Sequence, residues 1–367
     1  MVPRHRCGAP SPSGHWCRAT AKHIRAWFRL RHGQEFHMGG ISLFILGGTI
    51  LSIAGKASPA DSAALLQQAG IEPAGPVSVT RWRNVGSQNL LMADLIALAA
   101  EIGRQAASGT KGFIVIQGTD TMEETGFLLS LLVPADIPLV LTGAMRTADA
   151  PGADGPGNLN DSLCAVRALS GLALGPVICM NGELHAVRHV RKVDAGRIGA
   201  FASPGIGPLG TVVTGRVRLL QRPLPQPGPY PLPDPANLPR VALVTVGLDS
   251  DPLLIAAFAS PDWQGLVVEG VGSGHVPQAL AAPLIQFAKQ SPVILVSRCG
   301  GGDTDADGTY QGEGTAAHLI ANGLIDGGPL QGRKARLLLT ILLARTTVPS
   351  AIRAALVPWA GLGLLTD

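Results

Sequence analysis

The strongest constraint on this chain is a repeated switch between short apolar runs and longer stretches with helical spacing. The runs are "SLFIL" (42–46), "GFIVIQG" (112–118), "PLVLTG" (138–143) and "GPVICM" (175–180). A strand that is apolar on consecutive residues is covered on both faces. Helical spacing fills 89–107, 122–132 and 158–170. Strand and helix signals in alternation imply parallel βαβ units with right-handed crossovers. Residues 199–218 read as extended segments punctuated by Gly and Pro.

Residues 222–240, "RPLPQPGPYPLPDPANLPR", carry eight prolines in 19 positions. Proline lacks a backbone donor and fixes φ, so this stretch forms neither a helix nor a central strand. It reads as a stiff linker. Beyond it the rhythm resumes with "VALVTVG", "GLVVEGVGSG" and "PVILVSR", and the chain ends in an amphipathic helix, "GRKARLLLTILLART". The expected fold class is α/β, with two α/β domains and mainly parallel sheets. A larger N-terminal domain is expected at 39–221, a linker at 222–239, and a smaller Rossmann-like C-terminal domain at 240–367.

The net charge of +4 misleads, because residues 1–38 alone hold seven Lys/Arg against one Glu. The rest of the chain is therefore at −2 and has no basic face of the kind nucleic acid demands. Residues 1–38 are read as a basic, disordered leader, an organelle-type targeting peptide or an over-extended start. No apolar run reaches the length of a membrane span. The five cysteines suit neither a disulfide framework nor a zinc site, and a reducing cytoplasm fits them best. Cys179, inside "PVICM", reads as a small buried hydrophobe.

Open α/β sheets bind ligands beyond the carboxyl ends of their strands. Four polar clusters fall after strands or in loops: "GGTI" (47–50), "NVGSQN" (84–89), "GTDT" (118–121), and "LTGAMRTADAPGADGPGNL" with "HAVRHVRKVDAG" downstream. Singly, each is ordinary turn chemistry. Together, with "ASPGIGPLG", they occur in the order and spacing of one family. The chain resembles the bacterial-type L-asparaginase/glutaminase family, threonine-dependent amidohydrolases, over about residues 40–345.

The resemblance implies roles. Thr49 matches the nucleophile; Thr119, Asp120 and Lys192 match a second constellation; Ser87 and Gln88 match the holders of the substrate's α-carboxylate and α-amino groups, with Asp120 also facing the amino group. It implies a small-molecule substrate, L-asparagine or L-glutamine, no cofactor or metal, and a homodimer or homotetramer with sites near the subunit interface. The physical requirement is a base, since a threonine hydroxyl attacks poorly until its proton is accepted. Lysine serves only where burial or nearby cations favour its neutral form. Arg188, His189 and Arg191 precede Lys192 and could supply that charge, while Asp120 favours the ammonium but fixes its place. Lys192 taken alone reads as a solvated charge. Glu123 and Glu124 read as acids complementing a helix dipole and are left out of the site. Met145 and Arg146 read as loop-positioning or structural residues.

Some features depart from the family pattern. The family's loop tyrosine over the first threonine has no counterpart in "LSIAGKASPADSAALLQQAG", leaving a water, Ser52 or a neighbouring subunit as the activator. The family histidine before "GTDT" is Gln117. Ser273 stands in the "GVGSGHV" turn where relatives carry asparagine, with His275 nearby, and Glu313 is a candidate for the family glutamate. "GVGSGH" lacks the last glycine of a dinucleotide fingerprint, and no P-loop is present. Two rivals remain: an amino-acid-binding relative with weakened catalysis, and a distinct amidase. The amidotransferase subunits among the latter usually carry an extra N-terminal domain.

Overall fold

A computed structural model describes residues 40–53, 56–57, 77–225, 227–258 and 260–360. The leader, most of 54–76 and the side chain of Ser52 lie outside the described residues.

The first sheet has eight strands: β1 (Ile41–Ile45), β2 (Val77–Arg81), β3 (Gly112–Ile116), β4 (Leu139–Thr142), β5 (Val177–Met180), β6 (Glu183–Ala186), β7 (Gly210–Val213) and β8 (Arg216–Leu219). Their spatial order is β8-β7-β6-β5-β4-β3-β1-β2. The pairs from β2 to β5 are parallel and the remaining three antiparallel. The chain runs from β1 out to the edge at β2, then returns to β3 on the other side of β1. That reversal of strand order at β1 is the switch point at which a crevice opens.

Alternate residues of the apolar runs feed two cores, as a period of two demands. Phe44, Leu46, Phe113, Val115 and Leu141 belong to one, together with α1 (Met92–Ala107) and α2 (Met122–Leu132). Leu43, Ile45, Ile114, Ile116 and Val140 belong to the other, which holds α3 (Gly155–Ala168). Ten of the eleven α2 residues are buried, so this helix is covered all round and not on one stripe.

The second sheet holds β9 (Val241–Thr245), β10 (Gly265–Gly270), β11 (Val293–Ser297) and β12 (Ile325–Asp326), all parallel and in consecutive order. It has no strand-order reversal, which directs attention to the first sheet. Helix α4 (Gln278–Ala288) packs beside it. Helix α5 (Gly332–Leu343) touches α2 on one side and β9 and β10 on the other. The first core therefore continues through Leu337, Leu338 and Ile341 to Val267 and Ile294 of the second sheet.

The described part of 220–240 contains no helix or strand, as its prolines dictate. It is nevertheless tied in, with Tyr230 N–H donating to Leu131 O at 2.7 Å and Trp359 Nε1 donating to Tyr230 Oη at 3.1 Å. One expectation needs correction. The chain does not end its helices at "GRKARLLLTILLART": α6 (Pro349–Ala360) follows and buries Trp359 edge-on against Phe127, ring centroids 5.3 Å apart. Pro349 and Pro358 mask it in sequence, yet the first is at the opening position, where its missing N–H costs nothing.

Candidate active site

Three turns converge at the carboxyl ends of β1, β2 and β3. The ladder runs one step past the strands: Leu46 N–H donates to Ile116 O at 2.8 Å, and Val85 N–H to Leu46 O at 3.1 Å. Gly47 and Gly48 then adopt φ of +119° and +102°. A Cβ on Gly47 would lie 2.4 Å from Val85 O, and one on Gly48 2.2 Å from Gly118 N. Both conformation and close backbone approach therefore require glycine. Thr49 opens the 3₁₀ turn that follows, half-buried, its hydroxyl without a hydrogen-bond partner among the described residues.

Ser87 joins the second turn to the third. It is 2 % exposed; its Oγ accepts the Asp120 N–H at 3.2 Å and its carbonyl accepts Thr121 Oγ1–H at 2.9 Å. Gln88 beside it is exposed. Thr119 is buried at the mouth of β3, whereas Asp120 turns outward, its side chain 63 % exposed.

Lys192 comes from the short ladder of Arg191–Lys192 with Phe201–Ala202. Its Nζ donates to Thr119 Oγ1 at 2.9 Å and to Asp120 Oδ1 at 2.6 Å, across 73 residues of sequence. Its side chain is 14 % exposed. A hydroxyl, an amine and a carboxylate thus meet in one hydrogen-bonded row, open to solvent on the Asp120 side. Such a row can hold a hydroxyl in place and pass a proton along it.

The cations expected around Lys192 go elsewhere. Arg188 donates to Trp359 O at 2.5 Å and lies over that ring, and Arg191 donates to Cys299 O at 3.2 Å. The His189 imidazole is pushed down to about 4, first by burial and then by Arg188 and Lys334. Arg146 closes its own loop by donating to Pro151 O and Gly152 O. Asp154 shapes that loop, accepting N–H groups of Met145 and Arg146 and the Asn158 amide. Burial pushes the Cys179 thiol up to about 12, leaving it an inert core group.

Ser273, His275 and Glu313 belong to the second sheet's loops. Ser273 O accepts the Asp305 N–H, His275 Nδ1 accepts the Ala316 N–H at 3.2 Å while its ring meets Tyr310 edge-on, and Glu313 accepts Gln278 Nε2–H at 2.7 Å. Among the described residues, no hydrogen bond joins these three to Ser87, Thr119, Asp120 or Lys192.

Glu123 has partners that its sequence reading does not include. It is 1 % exposed, accepts the Lys192 backbone N–H at 2.7 Å and pairs with Arg333 at 3.1 Å. Its place in the first turn of α2 is compatible with the dipole argument, but its partners are tertiary. Neither partner is visible from local sequence, since one is a backbone N–H and the other lies two hundred residues downstream. Glu124 lies 3.8 Å from Arg336, and burial raises its carboxyl above the usual range.

Comparison with known proteins identifies the family. Residues 40–225 fit the model described as "Asparaginase, N-terminal", and residues 240–356 the "Glutaminase/Asparaginase C-terminal domain". A probable L-asparaginase of Deinococcus radiodurans is 34% identical over 324 residues, 83% of this chain and 92% of that protein. A probable periplasmic L-asparaginase of Haemophilus influenzae is 32% identical, covering 73% of this chain and 76% of its own. The structure of a probable cytoplasmic L-asparaginase from Campylobacter jejuni superposes with a TM-score of 0.76 at 27% identity, over 87% of this chain and 99% of that one. A glutamyl-tRNA(Gln) amidotransferase component from Methanosarcina acetivorans is 32% identical over 63% of this chain but only 55% of its own length. The chain belongs to the asparaginase/glutaminase family of amidohydrolases.

Proposed function

We propose that the protein hydrolyses the side-chain amide of L-asparagine to L-aspartate and ammonia through a threonyl acyl-enzyme. The observation that carries this reading is Lys192 Nζ bonded at once to Thr119 Oγ1 and Asp120 Oδ1 at the switch point of the first sheet. In this reading the Thr49 oxygen attacks the amide carbonyl carbon, its proton passes to the amide nitrogen, the C–N bond breaks to release ammonia, and an ester remains on Thr49. Water then adds at the same carbonyl, its proton is relayed through the row of Thr119 and Lys192 to the Thr49 oxygen, and the ester bond to Thr49 breaks, restoring the hydroxyl. Asp120 fixes the amine and faces the substrate's α-amino group, while Ser87 and Gln88 hold the α-carboxylate side.

Two features favour Thr49 as nucleophile over Thr119. The Thr49 hydroxyl has no partner among the described residues, whereas the Thr119 hydroxyl is engaged by Lys192 and lies deeper. The turn before Thr49 is fixed by glycines against both neighbouring turns, which suits a group that must be aimed. Ser273 belongs to the substrate-recognition set only as a residue delivered from a second copy, in a homodimer or homotetramer. The unpaired Cys164, Cys179 and Cys299 fit a cytoplasmic site of action.

The test is steady-state ammonia release from L-asparagine and L-glutamine by wild type and Thr49→Ala. Turnover of asparagine that is lost in a folded Thr49→Ala protein is expected. Preferential turnover of glutamine would move the substrate assignment within the family, and no turnover of either amide by folded wild type would refute the reading.

A further inference from the structure

Lys334 is fully buried on α5, where an apolar residue would fill the volume without the cost of desolvating an ammonium. Its Nζ donates to the main-chain oxygens of Val190 at 2.5 Å and Arg188 at 3.2 Å. Those two carbonyls belong to the segment that leads directly into Lys192. From the adjoining helix, Glu123 takes the Lys192 backbone N–H at 2.7 Å, and is itself held by Arg333 at 3.1 Å. The backbone leading into Lys192 and the Lys192 N–H are thereby held by two buried charged groups, Lys334 and Glu123, the first of them from the second half of the chain.

A lysine amine stands at the end of four rotatable bonds, so its reach to a partner is set largely by where its own backbone is pinned. We propose that Lys334 and Glu123 are positioning residues for Lys192, so that α5 and α2 together set the approach of its amine to Thr119 and Asp120. This inference rests on the catalytic reading of Lys192 given above. It assigns a task to two charged side chains that, among the described residues, hydrogen-bond to neither Thr119 nor Asp120. It also gives the second half of the chain a share in the chemistry of the first. Arg333 acts one step further out, by holding the Glu123 carboxylate.

The experiment is a mutant cycle read as kcat and KM for asparagine, with thermal unfolding of every protein as the folding control. Lys334→Met is expected to lower kcat about 100-fold while KM stays within about threefold, the pattern of a misplaced reacting group. Placed on Lys192→Met, the same substitution is expected to change kcat by less than about twofold, since its effect passes through the missing amine. Glu123→Gln, which keeps an acceptor oxygen for the Lys192 N–H, is expected to retain more of kcat than Glu123→Ala.

An unchanged kcat in Lys334→Met, or the same fold-loss with and without Lys192, overturns the proposal. Should Lys334→Met fail to fold, equal losses in Glu123→Gln and Glu123→Ala overturn it instead. The failure of the underlying reading looks different. There Lys192→Met itself turns over asparagine at the wild-type rate, which removes both; a dead Lys192→Met beside a fully active Lys334→Met removes this inference alone.

Discussion

Gly48→Ala tests whether the two threonine turns must touch. The added Cβ would stand 2.2 Å from Gly118 N and 2.6 Å from Gly118 Cα. Both are backbone atoms and cannot rotate away as a side-chain tip could. Ordinary contact begins at 3.4 Å, so the turns must separate by about 1.2 Å. Gly48 also sits at φ +102°, which alanine adopts only at a cost of about 1–3 kcal/mol. The separation falls between Thr49 and Thr119, and misplacing a reacting group by about 1 Å costs on the order of 100-fold in rate. The expected result is a protein that still folds, destabilised by about 2–4 kcal/mol, with kcat for ammonia release down by at least about 100-fold. Denaturant unfolding and ammonia assays on the same preparation read both effects. A Gly48→Ala protein with wild-type kcat and stability would refute the claim that backbone contact aligns the site.

Other expectations follow from the same geometry. Gly103 lies inside α1 with nothing within 4 Å of an added Cβ, so Gly103→Ala should stabilise the fold by about 0.5–1 kcal/mol in chemical denaturation without altering kcat; a loss of stability would contradict it. Asp154→Ala strands the N–H groups of Met145 and Arg146 and should cost about 2 kcal/mol in the same assay, more than an exposed loop carboxylate would. Lys334 is drawn down to about 7, first by burial, with Glu123 opposing the shift. An unfolded lysine holds its proton to about 10.4, so between these values the unfolded chain binds more protons and stability rises with pH. The burial cost is fully present below about pH 7, and wild type should gain on Lys334→Met by about 3 kcal/mol between about pH 7 and pH 9.5. A difference independent of pH would contradict the burial argument.

The strands whose burial is complete are plain in the sequence. β1, β3, β4 and β5 are wholly buried, so every residue in them must be apolar or small. Edge strand β2 is buried at no position and reads "VSVTR", which gives no continuous apolar run to detect. The antiparallel strands β7 and β8 likewise carry partly exposed residues and read only as extended chain. Lys334 illustrates a deeper limit. "GRKARLLL" reads as one polar and one apolar face, but α5 is covered from two sides, and a lysine placed as if for solvent ends fully buried.

The site divides in the same way. Turn positions after strands are local, so Gly47, Gly48 and the "GTDT" segment can be placed at strand ends from sequence, though singly each reads as ordinary turn chemistry. The bond from Lys192 to Thr119 spans 73 residues, and its partners can be matched only because several motifs stand in a family's order. The bond from the Glu123 carboxylate to a backbone N–H involves a donor that every non-proline residue possesses. No residue pattern marks which N–H it will be. Charge near Lys192 is misread from sequence for a related reason: Arg188 and Arg191 stand near it in the chain, but Arg188 lies in a turn and reaches Trp359 while Arg191 reaches Cys299.

The most direct measurement of the central claim is kcat for ammonia release from asparagine by Thr119→Ala beside wild type, with folding verified. Thr119 contacts Lys192 and carries no fold-defining role beyond one buried methyl group, so the account predicts a folded protein with kcat lowered at least about 100-fold. Full activity in Thr119→Ala would show that the row of Lys192, Thr119 and Asp120 takes no part in the reaction.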